Sequence, residues 1–478
     1  MGQEISQSQF DQDDFEHFHK KLAIETQLLH QLFEQKALSN TELIAGLELE
    51  AWLVNENMRP APINEHYLKS LNNPLASAEL AKFNIELNTN PIPLSDTIFS
   101  QLHKQLQSTW QHAAKHAERY DSALLMIGTL PTLKPSDLNV SNMSDLNRYR
   151  ALNEQILSAR DGPVHLDITG DEHLKLDHQD IMLESATTSL QLHTKVPLDI
   201  AHHFYNASLI ASSAIVAISA NSPYLFGKNL WHESRIPLFE QAVEIGGYNG
   251  AAHGPVKRVS FGTDYARKSI MECFQENLDH FPVLLPVDLA NASDSFDYLR
   301  LHNGTIWRWN RPLVGFEQDG TAHIRIEHRT PAAGPSIIDI VANSAFYFGL
   351  AKNLCDHIIE HGLPLQFTQA RDNFYQAARH GLNSHVTWFD GNHHRLHHLL
   401  TTELIPRAIS GLESCGISTT DSQLYMDIIR HRAETKQTGS EWQRQFMQQA
   451  QPDNFADLTR QYLINQHQNK PVSEWTIN

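Results

Sequence analysis

Four short segments of this chain alternate apolar residues with groups able to bind cations or phosphate. In GLELEAW (46–52), an extended backbone places Glu48 and Glu50 opposite Leu47, Leu49 and Ala51, because strand side chains point alternately to the two faces. FNIELN (83–88) sets Asn84, Glu86 and Asn88 opposite Phe83, Ile85 and Leu87 in the same way, and SLQLH (189–193) sets Gln191 and His193 opposite Leu190 and Leu192. HIRIEHR (323–329) places Arg325, Glu327 and Arg329 opposite Ile324 and Ile326. A strand with one face in water accounts for any one of these segments. Taken together they show carboxylates, an amide and an imidazole where solvated strands usually carry Thr or Lys. Like charges on neighbouring ladder positions repel, so Glu48, Glu50, Glu86 and Glu327 on one face call for a cation between them. Oxygen-rich ligand sets with an occasional imidazole suit Mg²⁺ or Mn²⁺ better than zinc.

No HExxH, GxxxxGK[ST] or GxGxxG segment occurs. ATP chemistry in this chain therefore needs carboxylate-held metal together with basic side chains that neutralise a moving phosphoryl group. Lys195, Arg235, Arg258, Arg325 and Arg329 are the candidates, and each taken alone is equally well a surface charge. The histidines of GDEHLKLDHQD (170–180) are scattered among 29 in the chain, and HHRLHH (393–398) reads as a polar helix surface.

The elements that must hold these groups are legible as periodicity. Strands are expected over 43–54, 83–92, 123–131, 189–196 and 323–329, the third being apolar and closed by proline. Amphipathic helices are expected over 18–37 and 97–120, with a buried helix over 198–220 that stops before Pro223. Another begins at Ser336, whose spacing to Asp339 resembles a capping box, and ends at Gly362. Residues 132–182 are less regular apart from a helix near RYRALNEQI, and the chain from about 371 is polar with a helical rhythm. These elements define an α+β protein with a helical segment over 1–40, a catalytic domain over 41–370 and a helical extension over 371–478.

Composition narrows the class. The 478 residues carry a formal net charge of −18, which disfavours nonspecific nucleic-acid or anionic-membrane binding, because those partners reward basic surfaces. The three cysteines, Cys273, Cys355 and Cys415, are far apart and odd in number, so they indicate neither a disulfide framework nor a thiolate zinc cluster. The polar, acidic amino terminus lacks the basic start and apolar core of a secretory signal, and the apolar stretch 207–220 is shorter than a membrane span. Cytoplasmic residence, with neither nucleic acid nor membrane as partner, is the expectation; homo-oligomerisation is left open.

The segments GLELEAWLV (46–54), FNIELNTNPIPL (83–94), MIGTLPTL (126–133), RYRALNEQI (148–156), SLQLHTKV (189–196), ANSPYLFGKNLWHESR (220–235) and RIEHRTPAAGP (325–335) also occur in a telling order. In that order the chain resembles the second group of the glutamate-cysteine ligase family, which includes bacterial, plant-related and small carboxylate-amine ligases of the glutamine synthetase-like superfamily. The resemblance implies a curved antiparallel sheet with helices on its outer face and a funnel-shaped active site on its concave face. It also implies use of ATP and Mg²⁺, or Mn²⁺, to activate the γ-carboxylate of glutamate as an acyl phosphate that the amine of cysteine attacks.

By the same resemblance, Glu48, Glu50, Glu86 and Glu327 match metal ligands, and His193 matches a catalytic histidine facing nucleotide phosphate or metal. Lys195 and Arg329 stand as basic groups for the nucleotide, Arg329 near the transferred phosphate. Arg235 matches an arginine near the glutamate carboxylate, and Asn153 is a substrate-side residue. The chain departs from the small relatives at His193-Thr-Lys-Val, where HVGV-like residues are usual, and at the polar stretch 160–180 and the tail beyond 370. Those departures touch substrate choice more than the ATP and metal chemistry, which makes a different amine or acid the nearest alternative; a metal-dependent hydrolase and a noncatalytic nucleotide-binding homologue are the competing readings of another class.

Overall fold

A single eight-stranded antiparallel sheet carries all four alternating segments. The computed structural model describes residues 4–5, 7–160, 162–245, 257–289, 293–451 and 454–477. In chain order the strands are β1 (Ile44–Asn55), β2 (Ala76–Ala78), β3 (Asn84–Asn88), β4 (Ile92–Pro93), β5 (Ser122–Leu125), β6 (Val164–Thr169) and β7 (His173–His178). They continue with β8 (Leu190–Val196), β9 (Tyr224–Leu225), β10 (Lys228–Asn229), β11 (Asn310–Phe316), β12 (Ala322–His328), β13 (His385–Thr387) and β14 (His393–Arg395). The main sheet runs β11-β12-β8-β1-β3-β2, with β4 and β5 also on β1, while β6–β7, β9–β10 and β13–β14 form separate two-stranded ribbons. The sheet is curved, and helices accompany it in a mixed α+β fold.

Register follows from the apolar face. Leu47, Leu49, Ala51, Ile85, Leu87, Leu190, Leu192, Ile324 and Ile326 are all buried, and a one-residue slip would move this whole set to the other side. Near-continuously buried helices, Ala201–Ile218 and Ile337–His361, pack together behind the sheet. The second starts at Ser336, whose hydroxyl accepts the Asp339 N–H, and stops at Gly362 with φ near +81°. Helix Ile405–Ser414, from the part of the chain beyond 371, packs against it at Gly349 and Gly411, where a methyl group on either would strike backbone of the facing helix. Tyr462, further along, donates to the Met126 carbonyl, and Asn221 donates to the Tyr462 hydroxyl. Among the described residues, no helix is long and apolar enough to cross a membrane.

Several elements differ from the sequence expectation. The strand over 83–92 is broken between β3 and β4 at Asn90-Pro91, where the residue before proline and the missing N–H interrupt the ladder. The strand at 123–131 ends at Leu125, because the next carbonyls are taken by side chains: Gln466 Nε2 donates to Met126 O at 2.8 Å and Trp52 Nε1 to Ile127 O at 3.0 Å. The polar stretch 160–180 is the β6–β7 ribbon, whose exposed His165 and His173 face Asp177 and Asp167. HHRLHH is half strand: His393–Arg395 form β14, and only Leu396–Leu399 turn into helix.

Candidate active site

Much of the polar face of the sheet is buried, with Glu48 and Glu50 keeping partial exposure. Glu86, Glu327, Gln191 and His193 are only 1, 3, 4 and 6 % exposed, so the alternation does not come from a strand with one face in water. Register brings the groups into rows: His193 of β8 lies opposite Glu327 of β12, Gln191 opposite Glu48 of β1, and Glu50 opposite Glu86 of β3.

The first row gives a compact ligand group. His193 Nε2 is 3.1 Å from a Glu48 oxygen and 3.9 Å from a Glu327 oxygen, and one donor atom from each of the three lies within 4.8 Å of the others. Neither ring nitrogen of His193 has an aligned hydrogen-bond partner. Burial pushes the Glu48 carboxyl up, but the charges of His193 and Arg325 outweigh it and hold the group well below the usual carboxylate range. Burial likewise opposes ionisation of Glu327; Arg311, Arg329 and His193 together prevail and bring it to about 2. Two ionised carboxylates beside an imidazole are a donor set that fits a hard divalent cation.

A second acidic group lies beside the first. Glu50 accepts from Ser189 N (2.7 Å), Ser189 Oγ (2.9 Å) and Gln191 Nε2 (2.9 Å), and Glu86 accepts from Asn88 Nδ2 (2.9 Å). Around them, from outside the strands, stand two carboxyls that the sequence reading missed, Glu79 and Glu184. Burial, reinforced by Glu50, pushes Glu79 up to about 7 against the pull of Arg148; burial, Glu79 and Glu50 push Glu184 to about 8 against Arg329. Burial with Glu48 and Glu79 raises Glu86 well above its ordinary value. Glu79 follows β2, which pairs with β3 at Ser77–Glu86, so its position depends on the hairpin closing; Glu184 lies in the helical turn Ile181–Ala186. Neither shows period-two alternation.

Gln191 joins the two groups. Its amide nitrogen donates to Glu50 while its oxygen accepts from Arg329 Nη1 at 2.6 Å, and Arg329 also reaches Glu327 at 3.3 Å. The other expected site residues have defined partners of their own, Lys195 on the same face of β8 as His193. Lys195 Nζ is held by Glu317 (2.7 Å) and Thr41 (2.8 Å), and Asn153 Oδ1 accepts from Ile181 N at 3.1 Å. Arg235 is 2 % exposed, paired with the wholly buried Glu233 at 2.9 Å and donating to the Thr330 carbonyl at 2.8 Å, one residue from Arg329. Arg258 is also buried and donates to the Thr305 and Pro282 carbonyls, which makes it a structural cation.

The raised carboxyls carry a pH signature. A divalent cation held among Glu50, Glu79 and Glu86 would displace the protons that burial favours on Glu79 and Glu86, so its affinity would rise with pH until those groups have ionised. The thermal-stability increment produced by a fixed Mg²⁺ or Mn²⁺ concentration is expected to grow from pH 6 to pH 8.5. Each proton displaced contributes up to about tenfold in affinity per pH unit over part of that range. Differential scanning fluorimetry with and without metal measures it; an increment that is flat or shrinks with pH would contradict the assignment.

Comparisons with known proteins bear on the fold and the family. Among solved structures, a glutamate–cysteine ligase from Francisella tularensis in complex with AMP aligns with a TM-score of 0.55 at 12 % identity, over 92 % of this chain and 91 % of that one. A bifunctional glutathione synthetase from Pasteurella multocida gives a TM-score of 0.46 at 13 % identity, over 92 % of this chain and 54 % of that one. The first of these likenesses shows the fold. No curated protein matches in sequence. The model of one family matches residues 44–468, nearly the whole described sheet and its helices, and the chain therefore belongs to glutamate-cysteine ligase family 2.

Proposed function

We propose that this protein is an ATP-dependent ligase that joins the γ-carboxylate of glutamate to the amine of cysteine through an acyl phosphate. Membership of the family supports carboxylate-amine ligation as the reaction class. The observation that carries the reading is a pair of adjoining acidic groups, Glu48–His193–Glu327 on the sheet face and Glu50 with Glu86 beside the flanking Glu79 and Glu184, bridged by Gln191 and Arg329.

Glu48, His193 and Glu327 would hold one divalent ion and Glu50, Glu79 and Glu86 another. Mg²⁺ or Mn²⁺ bound there would neutralise phosphate oxygens and polarise the phosphoryl group. The chain's own residues supply the rest. Arg329 lies between the two groups, where its guanidinium offsets charge on the phosphoryl group as it moves from ATP to the carboxylate. Gln191 and Glu327 hold that guanidinium in place. Burial of Gln191, His193 and Glu327 strengthens these electrostatic contacts, and a site closed over its substrates would keep water from an acyl phosphate. Amine attack then releases phosphate and forms the amide. No enzyme thiol is needed for this, consistent with Cys273, Cys355 and Cys415 being unpaired and pushed up by burial. Unpaired thiols favour a reducing compartment such as the cytoplasm.

The test is ADP release by the purified protein with ATP and Mg²⁺ across a panel of acids and amines. Release is expected only when glutamate and an amine are both present, fastest with cysteine. A faster rate with another amine would keep carboxylate-amine ligation and replace the nucleophile. Product formed without ATP would assign a hydrolase, and nucleotide binding without any turnover would assign a noncatalytic homologue.

A further inference from the structure

Glu327 is gripped from the side away from His193 by an arginine that neither the alternating pattern nor the motif set singles out. Arg311 lies opposite Glu327 in the β11–β12 ladder, and its Nε donates to Oε2 at 2.9 Å while Nη2 donates to Oε1 at 3.1 Å. Its remaining Nη1 donates to the carbonyls of Asn303 (3.1 Å) and Ile306 (3.3 Å), so the guanidinium is anchored at both ends. Side-chain exposure is 10 % for Arg311 and 3 % for Glu327. A two-pronged arginine–carboxylate contact fixes the carboxylate plane as well as its position, which a single-point contact cannot do. Here that plane is the one that turns Oε1 toward His193 and Glu48.

We infer that Arg311 is a positioning residue for divalent-cation binding: its fork holds Glu327 in the orientation in which Glu327 completes a ligand group with Glu48 and His193. The inference rests on the proposal that these three residues hold such an ion. Partners that orient ligating carboxylates typically change metal affinity by about 10–100-fold when replaced. A lysine at 311 keeps the charge and removes the fork. The loss it causes is therefore assigned to orientation rather than to net charge.

The experiment is Mn²⁺ binding to the full-length protein without nucleotide, followed by calorimetry and by the electron paramagnetic resonance signal of unbound Mn²⁺, alongside thermal unfolding of the metal-free protein. Arg311→Lys is expected to weaken the site by about 10–100-fold, with the fold retained. Arg432→Lys is the control for a merely structural role, because Arg432 is a buried arginine paired with Asp339 at 2.6 Å in the helical region behind the sheet. It is expected to lower the melting temperature and leave Mn²⁺ affinity unchanged. Glu327→Gln separates the two levels of the argument. If it leaves Mn²⁺ binding intact, the ligand assignment falls and the inference with it. If Glu327→Gln weakens binding but Arg311→Lys matches the wild type, or Arg432→Lys weakens binding as much as Arg311→Lys, only the role of Arg311 is overturned.

Discussion

Arg329→Met is expected to lower the maximal rate of amine-dependent ADP release by about 10³-fold or more while changing ATP affinity by less than about tenfold, because charge on the transferring phosphoryl group peaks in the transition state. The side chain is placed for that role. It is 12 % exposed, touches Gln191 and Glu327 through Nη1, and has no partner for Nε among the described residues. Arg329→Lys retains a cation without its planar spread of donors and should fall between the two. Single-turnover kinetics at saturating ATP, with nucleotide affinity measured separately, checks the split. A loss confined to ATP affinity would make Arg329 a ground-state binding residue, and a loss confined to melting temperature would make it a scaffold residue.

The second large effect concerns stability. Arg235 was expected near the carboxylate of glutamate, yet its guanidinium is paired with Glu233, a side chain with no solvent exposure that also accepts from Asn221 N and Ser222 Oγ. Burial raises the Glu233 carboxyl, and Arg235 pulls against that shift. Removing the cation by Arg235→Met leaves an uncompensated buried acid, a change that typically destabilises by about 3–5 kcal/mol. Denaturant unfolding should show a loss of that order. The double variant Glu233→Met, Arg235→Met should recover a large part of it, because a buried pair replaced by apolar groups of similar volume is often near neutral. A small stability loss accompanied by a large rise in KM for glutamate would return Arg235 to the substrate role.

The sequence made the sheet legible because its chemistry lies on strands. Alternation in GLELEAW, FNIELN, SLQLH and HIRIEHR identified the strands, the shared face and the side chains on it. Pairing order was not encoded locally: β8 reaches β1 and β12 across more than a hundred residues on either side, and only the family motifs linked them. Periodicity also failed where function sits off the strands. Glu79 follows a three-residue strand and Glu184 occupies a helical turn, so each reads as an ordinary surface acid until the fold closes around it. β11 was hidden by Pro312 and Gly315, residues depleted from strands, and an edge position tolerates both because β11 pairs with β12 alone. Arg311 was hidden with it. Lys195 and Asn153 lie inside the motifs SLQLHTKV and RYRALNEQI, but their contacts with Glu317, Thr41 and the Ile181 amide come from segments far along the chain that no local pattern joins to them.

The role of the paired carboxylate groups comes down to whether the acid substrate is phosphorylated. The most direct measurement is the ADP-release reaction run with glutamate carrying ¹⁸O in its γ-carboxylate, followed by mass analysis of the inorganic phosphate. Transfer of phosphoryl to that carboxylate predicts one labelled oxygen in each phosphate released, with the amine required for turnover. Unlabelled phosphate at the same rate of ADP release would mean that water, not the carboxylate, takes the phosphoryl group, and would contradict ligation at this site.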